Sequence, residues 1–180
     1  MTEPFRILCV SGSLRARSTT SAVLRTAVAV APAGIAPVLY DGLGDLPHFN
    51  QDDDVEPRHP AVAELRARLR AADALLCSTP EYAGALPGSF KNLLDWLIGD
   101  GEAGSIYEKP VGWLNASPRG ATLAHDSLRT VLGYAHATIV EAACIAVPVT
   151  APMVDDDGTV HDPGVRAQIA AALRAFTARP

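Results

Sequence analysis

The chain alternates short, uninterrupted apolar runs with amphipathic stretches, and this alternation limits its fold more than any other feature. Ile7-Leu8-Cys9-Val10, Ala74-Leu75-Leu76-Cys77-Ser78 and the run from Val111 to Leu114 are nearly apolar throughout, as strands buried on both faces must be. Pro37-Val38-Leu39-Tyr40 reads as a weaker second strand. Thr138 to Val149 contains a fifth, interrupted around Glu141. Helical patterns lie between. Ser18-Thr19-Thr20 offers N-caps for a helix reaching about Val30, ended by Pro32 and Gly34. Val62, Leu65, Leu69 and Ala72 recur at helical spacing, with Glu64, Arg66, Arg68 and Arg70 on the other faces. Phe90, Leu93, Leu94 and Leu97 make a stripe opened by Pro87 and closed by Gly99. Leu123, Leu128, Val131, Leu132 and Ala135 make the next, and Val165, Ile169, Leu173 and Phe176 the last.

Apolar strands alternating with helices require a parallel sheet covered on both sides. Five strands are too few for the eight-stranded barrel. The expected architecture is therefore an α/β, doubly wound three-layer sandwich forming one domain over residues 1–180. Ligands of such sheets sit beyond the carboxyl ends of the strands, so the loops after strands one, three and four are the places to search. The one long connection is the polar stretch from Asp41 to Pro60, with Asp52 to Asp54 in its middle.

Composition narrows the partners. With 48% hydrophobic and 19% charged residues in 180, the chain has ample material for a core. Fifteen basic against 20 acidic side chains give a net charge of −5, which argues against nucleic acid as a partner and still permits a local basic pocket. Three cysteines, Cys9, Cys77 and Cys144, cannot all pair and show no C-x-x-C spacing. They point to a reducing compartment, the cytoplasm. Met1 to Phe5 holds Glu3 and Pro4 and lacks the pattern of a leader. No apolar stretch approaches the roughly 18 residues that span a bilayer, so no membrane is expected.

The loop after the first strand reads Ser11-Gly12-Ser13-Leu14-Arg15-Ala16-Arg17-Ser18-Thr19-Thr20. Hydroxyls, two guanidinium groups and the start of a helix together suit a phosphate. The dinucleotide pattern G-x-G-x-x-G is absent, because Ser13 follows Gly12 and Arg15 stands where glycine is needed. No glycine is followed by Lys-Ser or Lys-Thr, so a Walker loop is absent too. A mononucleotide phosphate fits better. The loop after the third strand, Thr79-Pro80-Glu81-Tyr82-Ala83-Gly84-Ala85-Leu86-Pro87-Gly88, is stiffened by its prolines. Its glycines let the backbone approach something flat.

Together, Gly12-Ser13-Leu14-Arg15 with Ser18, Pro80-Glu81-Tyr82 through Pro87-Gly88, Lys91-Asn92 and Asp95-Trp96 resemble the NADPH-dependent FMN reductases of the flavodoxin-like superfamily. Quinone, chromate and azo-dye reductases are among its members. The resemblance implies a flavodoxin-like five-stranded sheet of order 2-1-3-4-5. It implies FMN as cofactor, NADPH or NADH as co-substrate, and a quinone-like or other small electron acceptor. Ser11, Ser13, Arg15, Ser18 and Thr20 then hold the FMN phosphate. Pro80, Glu81, Tyr82, Ala83 and Gly84 line the edge of the isoalloxazine ring, and Ser117, after strand four, lies at its other end. The flavin carries the chemistry, so no side chain is assigned as catalytic. Two alternatives on the same fold are a flavodoxin-type electron carrier and a flavin-free binding or regulatory protein. The family commonly has asparagine where Thr20 and Ala83 stand and a glycine pair where Arg119-Gly120 stands. It also implies a homodimer, with a tetramer as its extension.

Other candidates read more plainly. The five histidines lack ligand spacing, and no metal is expected. Asp155-Asp156-Asp157-Gly158 reads as a solvated turn. Cys9 and Cys77 fall inside strands and read as packing residues. Trp96 falls off the apolar stripe of its helix with Lys91, Asn92 and Asp95, which reads as an exposed aromatic at an interface.

Overall fold

The computed structural model describes residues 3–178. Met1 and Thr2, read above for a leader, and the last two positions of the 1–180 span lie outside them. Strands β1 (Phe5–Ser11), β2 (Ile35–Tyr40), β3 (Ala74–Ser78), β4 (Pro110–Asn115) and β5 (Thr138–Ala146) form one sheet in the order β2-β1-β3-β4-β5. Every neighbouring pair is parallel. The helices are α1 (Thr19–Ala29), α2 (Pro60–Arg70), α3 (Gly88–Ile98), α4 (Thr122–Tyr134) and α5 (Pro163–Ala175). The expected doubly wound sandwich is what the chain forms.

Two cores follow from the alternation of side chains along each strand. Ile7, Cys9 and Leu76 belong to the core shared with Val23, Leu24 and Ala27 of α1 and Ile169 and Leu173 of α5. Leu8, Val10, Leu75 and Cys77 belong to the other, with α2, α3 and α4. No helix among the described residues is long and apolar enough to cross a membrane.

The two outer strands are irregular. Pro37 lies within β2, where Val38 and Leu39 stay partly exposed. In β5 the register jumps: Val111 pairs with Ile139, but Trp113 pairs with Cys144. This bulge is the interruption expected around Glu141. Gly112 lies where β5 backs inward, and a Cβ there would stand 2.7 Å from the Ala143 Cβ. Arg129 stacks over the Trp113 ring at 5.0 Å and clamps both carboxylate oxygens of Glu141, at 2.6 and 2.9 Å.

Three expectations fail here. Trp96 is not an exposed interface aromatic: it is 1% exposed, with its Nε1–H donating to the Pro47 carbonyl at 2.9 Å and its ring against Phe49. Arg66 does not lie on a solvated face. It is buried, donates to the Trp96 carbonyl at 2.9 and 2.7 Å, and grips both oxygens of Asp54 at 2.8 Å. In both cases the cause is the 41–60 connection, which folds across α2 and α3. Leu123 is the converse, a member of the predicted stripe that stands 58% exposed.

Candidate functional site

Three loops leave the carboxyl ends of β1, β3 and β4, the central strands of the sheet. The order of the sheet reverses between β1 and β3, the usual place for a ligand in this architecture. There the first two loops touch. The Gly12 amide donates to the Ser78 carbonyl at 2.8 Å. A Cβ on Gly12 would stand 2.6 Å from Thr79 Oγ1 and 3.0 Å from Phe90, so only glycine fits.

The structure gathers the hydroxyls of three of the five predicted phosphate residues, Ser11, Ser18 and Thr20, into one network that the Ser13 amide joins. Ser11 Oγ shares hydrogen bonds with Thr20 Oγ1 at 3.2 Å and Ser21 Oγ at 2.9 Å, and accepts from the Ser13 amide at 3.3 Å. Ser18 Oγ and Thr20 Oγ1 lie 2.7 Å apart. Ser13, Ser18 and Thr20 are buried. Ser18 occupies the N-cap of α1, as expected, yet its side chain caps no amide. The first-turn N–H groups, which no helix can satisfy internally, are left without that acceptor. Arg15 is exposed at the rim, its amide bonded to Ser13 Oγ at 3.3 Å. Among the described residues its guanidinium joins no ion pair within 4.0 Å.

In the second loop Tyr82 and Ala85 exchange two backbone hydrogen bonds of 3.1 Å around Ala83 (φ 51°) and Gly84 (φ 72°). Positive φ at both central positions is the signature of a two-residue type I′ hairpin. The position demands left-handed backbone, which asparagine adopts at less cost than the alanine that stands here. Glu81, intermediate in exposure, turns its Oε2 to the Ala124 amide at 3.1 Å.

In the third loop Asn115 clamps the turn, its Oδ1 accepting from the Ser117 amide at 3.0 Å and its Nδ2 donating to the Gly120 carbonyl at 2.5 Å. Ser117 Oγ accepts from the Arg119 amide at 3.2 Å. The positive φ values fall on Gly120 and Ala121, not on Arg119, so the arginine in place of a glycine strains nothing. His125 was given no role from sequence. Its Nδ1 lies 2.8 Å from the Ala121 carbonyl, and since a carbonyl only accepts, Nδ1 carries the hydrogen. Nε2 is buried without a partner, and burial holds the ring's pKa below its ordinary 6.5.

Asn115, Thr79, Ser21 and His125 were therefore missed as individual residues, although all but His125 stand in or beside the loops that were singled out. Burial pushes Cys9 up to about 12 and Cys144 up to about 11, so neither supplies a thiolate at neutral pH. Asp155 to Gly158 is a turn, closed by the Gly158 amide on the Asp155 carbonyl at 2.9 Å.

A family model described as NADPH-dependent FMN reductase matches residues 5–151. The chain belongs to the NADPH-dependent FMN reductase family. As a member it is an oxidoreductase that works with FMN and NAD(P)H. Among its curated relatives, the NAD(P)H-dependent FMN reductase of Pseudomonas aeruginosa is 37% identical over 134 residues, 73% of this chain and 71% of that one. A quinone reductase of Pseudomonas putida is 30% identical over 166 residues, 90% of this chain and 88% of that one. The flavoenzyme NAD(P)H:(acceptor) oxidoreductase of Paracoccus denitrificans shares the fold, with a TM-score of 0.76 at 24% identity, covering 96% of this chain and 97% of that one.

Proposed function

We propose that this FMN reductase family member holds FMN on its three loops and passes two electrons from NADPH or NADH to a small acceptor of the quinone class. The observation that carries the reading is the start of α1. Its amides lack a side-chain cap, buried hydroxyls surround it, and a guanidinium without an ion-pair partner stands beside it. An anion fits such a place.

Ser11, Ser13, Arg15, Ser18 and Thr20 would hold the phosphate, each charge-assisted hydrogen bond contributing about 1.5–3 kcal/mol. Pro80, Glu81, Tyr82, Ala83 and Gly84 would border the ring edge, where the type I′ turn presents backbone rather than bulk. Ser117 would stand at the other end of the ring. Its oxygen already accepts from Arg119, which leaves its own hydrogen to donate. FMN, when bound, would supply the redox chemistry, a two-electron transfer between the nicotinamide and the acceptor. The chain's residues bind and orient, and none is assigned as acid or base. The quinone class rests on the relatives' names.

A groove of about 760 Å³ bounded by α3, α4 and the 41–60 connection, where Ile98, Val131 and the exposed Tyr134 offer apolar contact, supports a homodimer. Three free cysteines support the cytoplasm. The reading tests directly. Apoprotein should quench FMN fluorescence on titration, Arg15→Ala should weaken binding about tenfold or more, and loaded protein should oxidise NADPH with a quinone present. No affinity for FMN overturns the reading. A monomer by light scattering overturns the dimer.

A further inference from the structure

We infer that Leu123 is a specificity-determining residue for the electron acceptor, an aliphatic ledge at the flavin-edge hairpin that favours apolar, ring-shaped acceptors over ionic ones. The inference rests on the flavin reading above. A single exposed leucine needs no explanation, but the setting of this one is particular. Helical spacing assigns Leu123 to the buried stripe of α4, and the structure instead leaves it 58% exposed on the first turn. Its neighbour Ala124 gives its amide to Glu81 at 3.1 Å. Leu123 Cδ1 stands 3.3 Å from where a Cβ on Gly84 would be. The side chain therefore rests on the tip of the hairpin that carries Tyr82, itself 47% exposed.

The hairpin is closed by its two backbone bonds and tied to α4 by Glu81, so the backbone that carries the leucine is positioned before binding. Leu123 lies between two polar, exposed neighbours along the helix surface, Thr122 and Asp126. A quinone carrying methyl or fused-ring substituents gains contact from the leucine. A small inorganic anion gains nothing from it.

The test compares wild type, Leu123→Ser and Leu123→Met, all loaded with FMN, with menadione and ferricyanide as acceptors. Leu123→Ser should raise KM for menadione and lower the menadione-to-ferricyanide ratio of kcat/KM about tenfold, the scale expected for losing such an apolar contact. Leu123→Met should restore the ratio to within about twofold, since it keeps volume and apolarity. FMN affinity, read by fluorescence titration, should be the same in all three. An equal loss for both acceptors, or an unmoved ratio, overturns the inference. So does a change in oligomeric mass in Leu123→Ser, which makes the leucine a subunit contact. Wild-type apoprotein that fails to take up FMN overturns the flavin reading itself.

Discussion

Glu81 caps a helix to which it does not belong: its Oε2 accepts the Ala124 amide of α4 at 3.1 Å, 43 residues along the chain. The helix has no local cap, since Ala121 at its start has φ 45° and offers no side-chain acceptor. One carboxylate thus joins the loop after β3 to the element after β4.

Replacing that carboxylate by a methyl group leaves the amide without its acceptor. Glu81→Ala should lower stability by about 1 kcal/mol, the usual cost of a lost N-cap. Glu81→Gln, which keeps an acceptor oxygen, should lose less than half of that. Urea denaturation of the two variants checks the order, and equal losses would mean that Glu81 acts through its charge alone.

Ala83 holds left-handed backbone, with φ 51°. Ala83→Asn should stabilise the protein by about 0.5–1 kcal/mol by relieving left-handed backbone on a residue unsuited to it. The midpoint of urea unfolding should rise at constant slope.

Gly12 touches the neighbouring loop so closely that a methyl group must push Thr79 aside. Gly12→Ala should cost about 1–3 kcal/mol of stability and weaken FMN binding. Adding Thr79→Ala removes the nearest obstacle, so the double variant should recover part of both losses. A strictly additive pair would count against direct contact.

Asp54 and Arg66 link stability to pH. Hydrogen bonding from the Arg66 guanidinium, opposed by burial, holds the Asp54 carboxyl below its ordinary 3.8. The folded state therefore binds this proton less readily than the unfolded chain. Its contribution is complete well above pH 3.8 and is lost as pH falls through the depressed value. Arg66→Ala, which leaves the Asp54 carboxylate only its 3.4 Å contact with Arg58, should cost about 3 kcal/mol at neutral pH. Asp54→Asn should be destabilising at pH 7 and approach wild type in acid, measured as urea midpoints against pH.

How far the sequence could be read depended on what covers each residue. Continuous apolar runs locate β1, β3 and β4 because those strands are buried on both faces, and the helix stripes follow from burial on one face. Periodicity fails at Trp96 and Arg66 because the cover there is a connection with no period of its own, folded over α3 through Pro47, Phe49 and Asp54. The phosphate loop was legible as a composition of hydroxyls and arginines. That Ser18 would turn to the Thr20 hydroxyl instead of to a backbone amide of its helix is a matter of side-chain rotation, which no spacing encodes. Likewise, the bond from the Ala124 amide to Glu81 joins residues 43 apart, a tether that no local pattern encodes.

The irregular outer strands bear on how copies of this chain meet. Pro37 removes one amide donor from β2, and the bulge of β5, with Glu141 held by Arg129, breaks its ladder with a kink and a charge pair. Neither margin offers a straight row of donors and acceptors to a foreign strand. The sheet is thus guarded against growing sideways. Any association between copies is then expected through the helical layers and not by extension of the sheet.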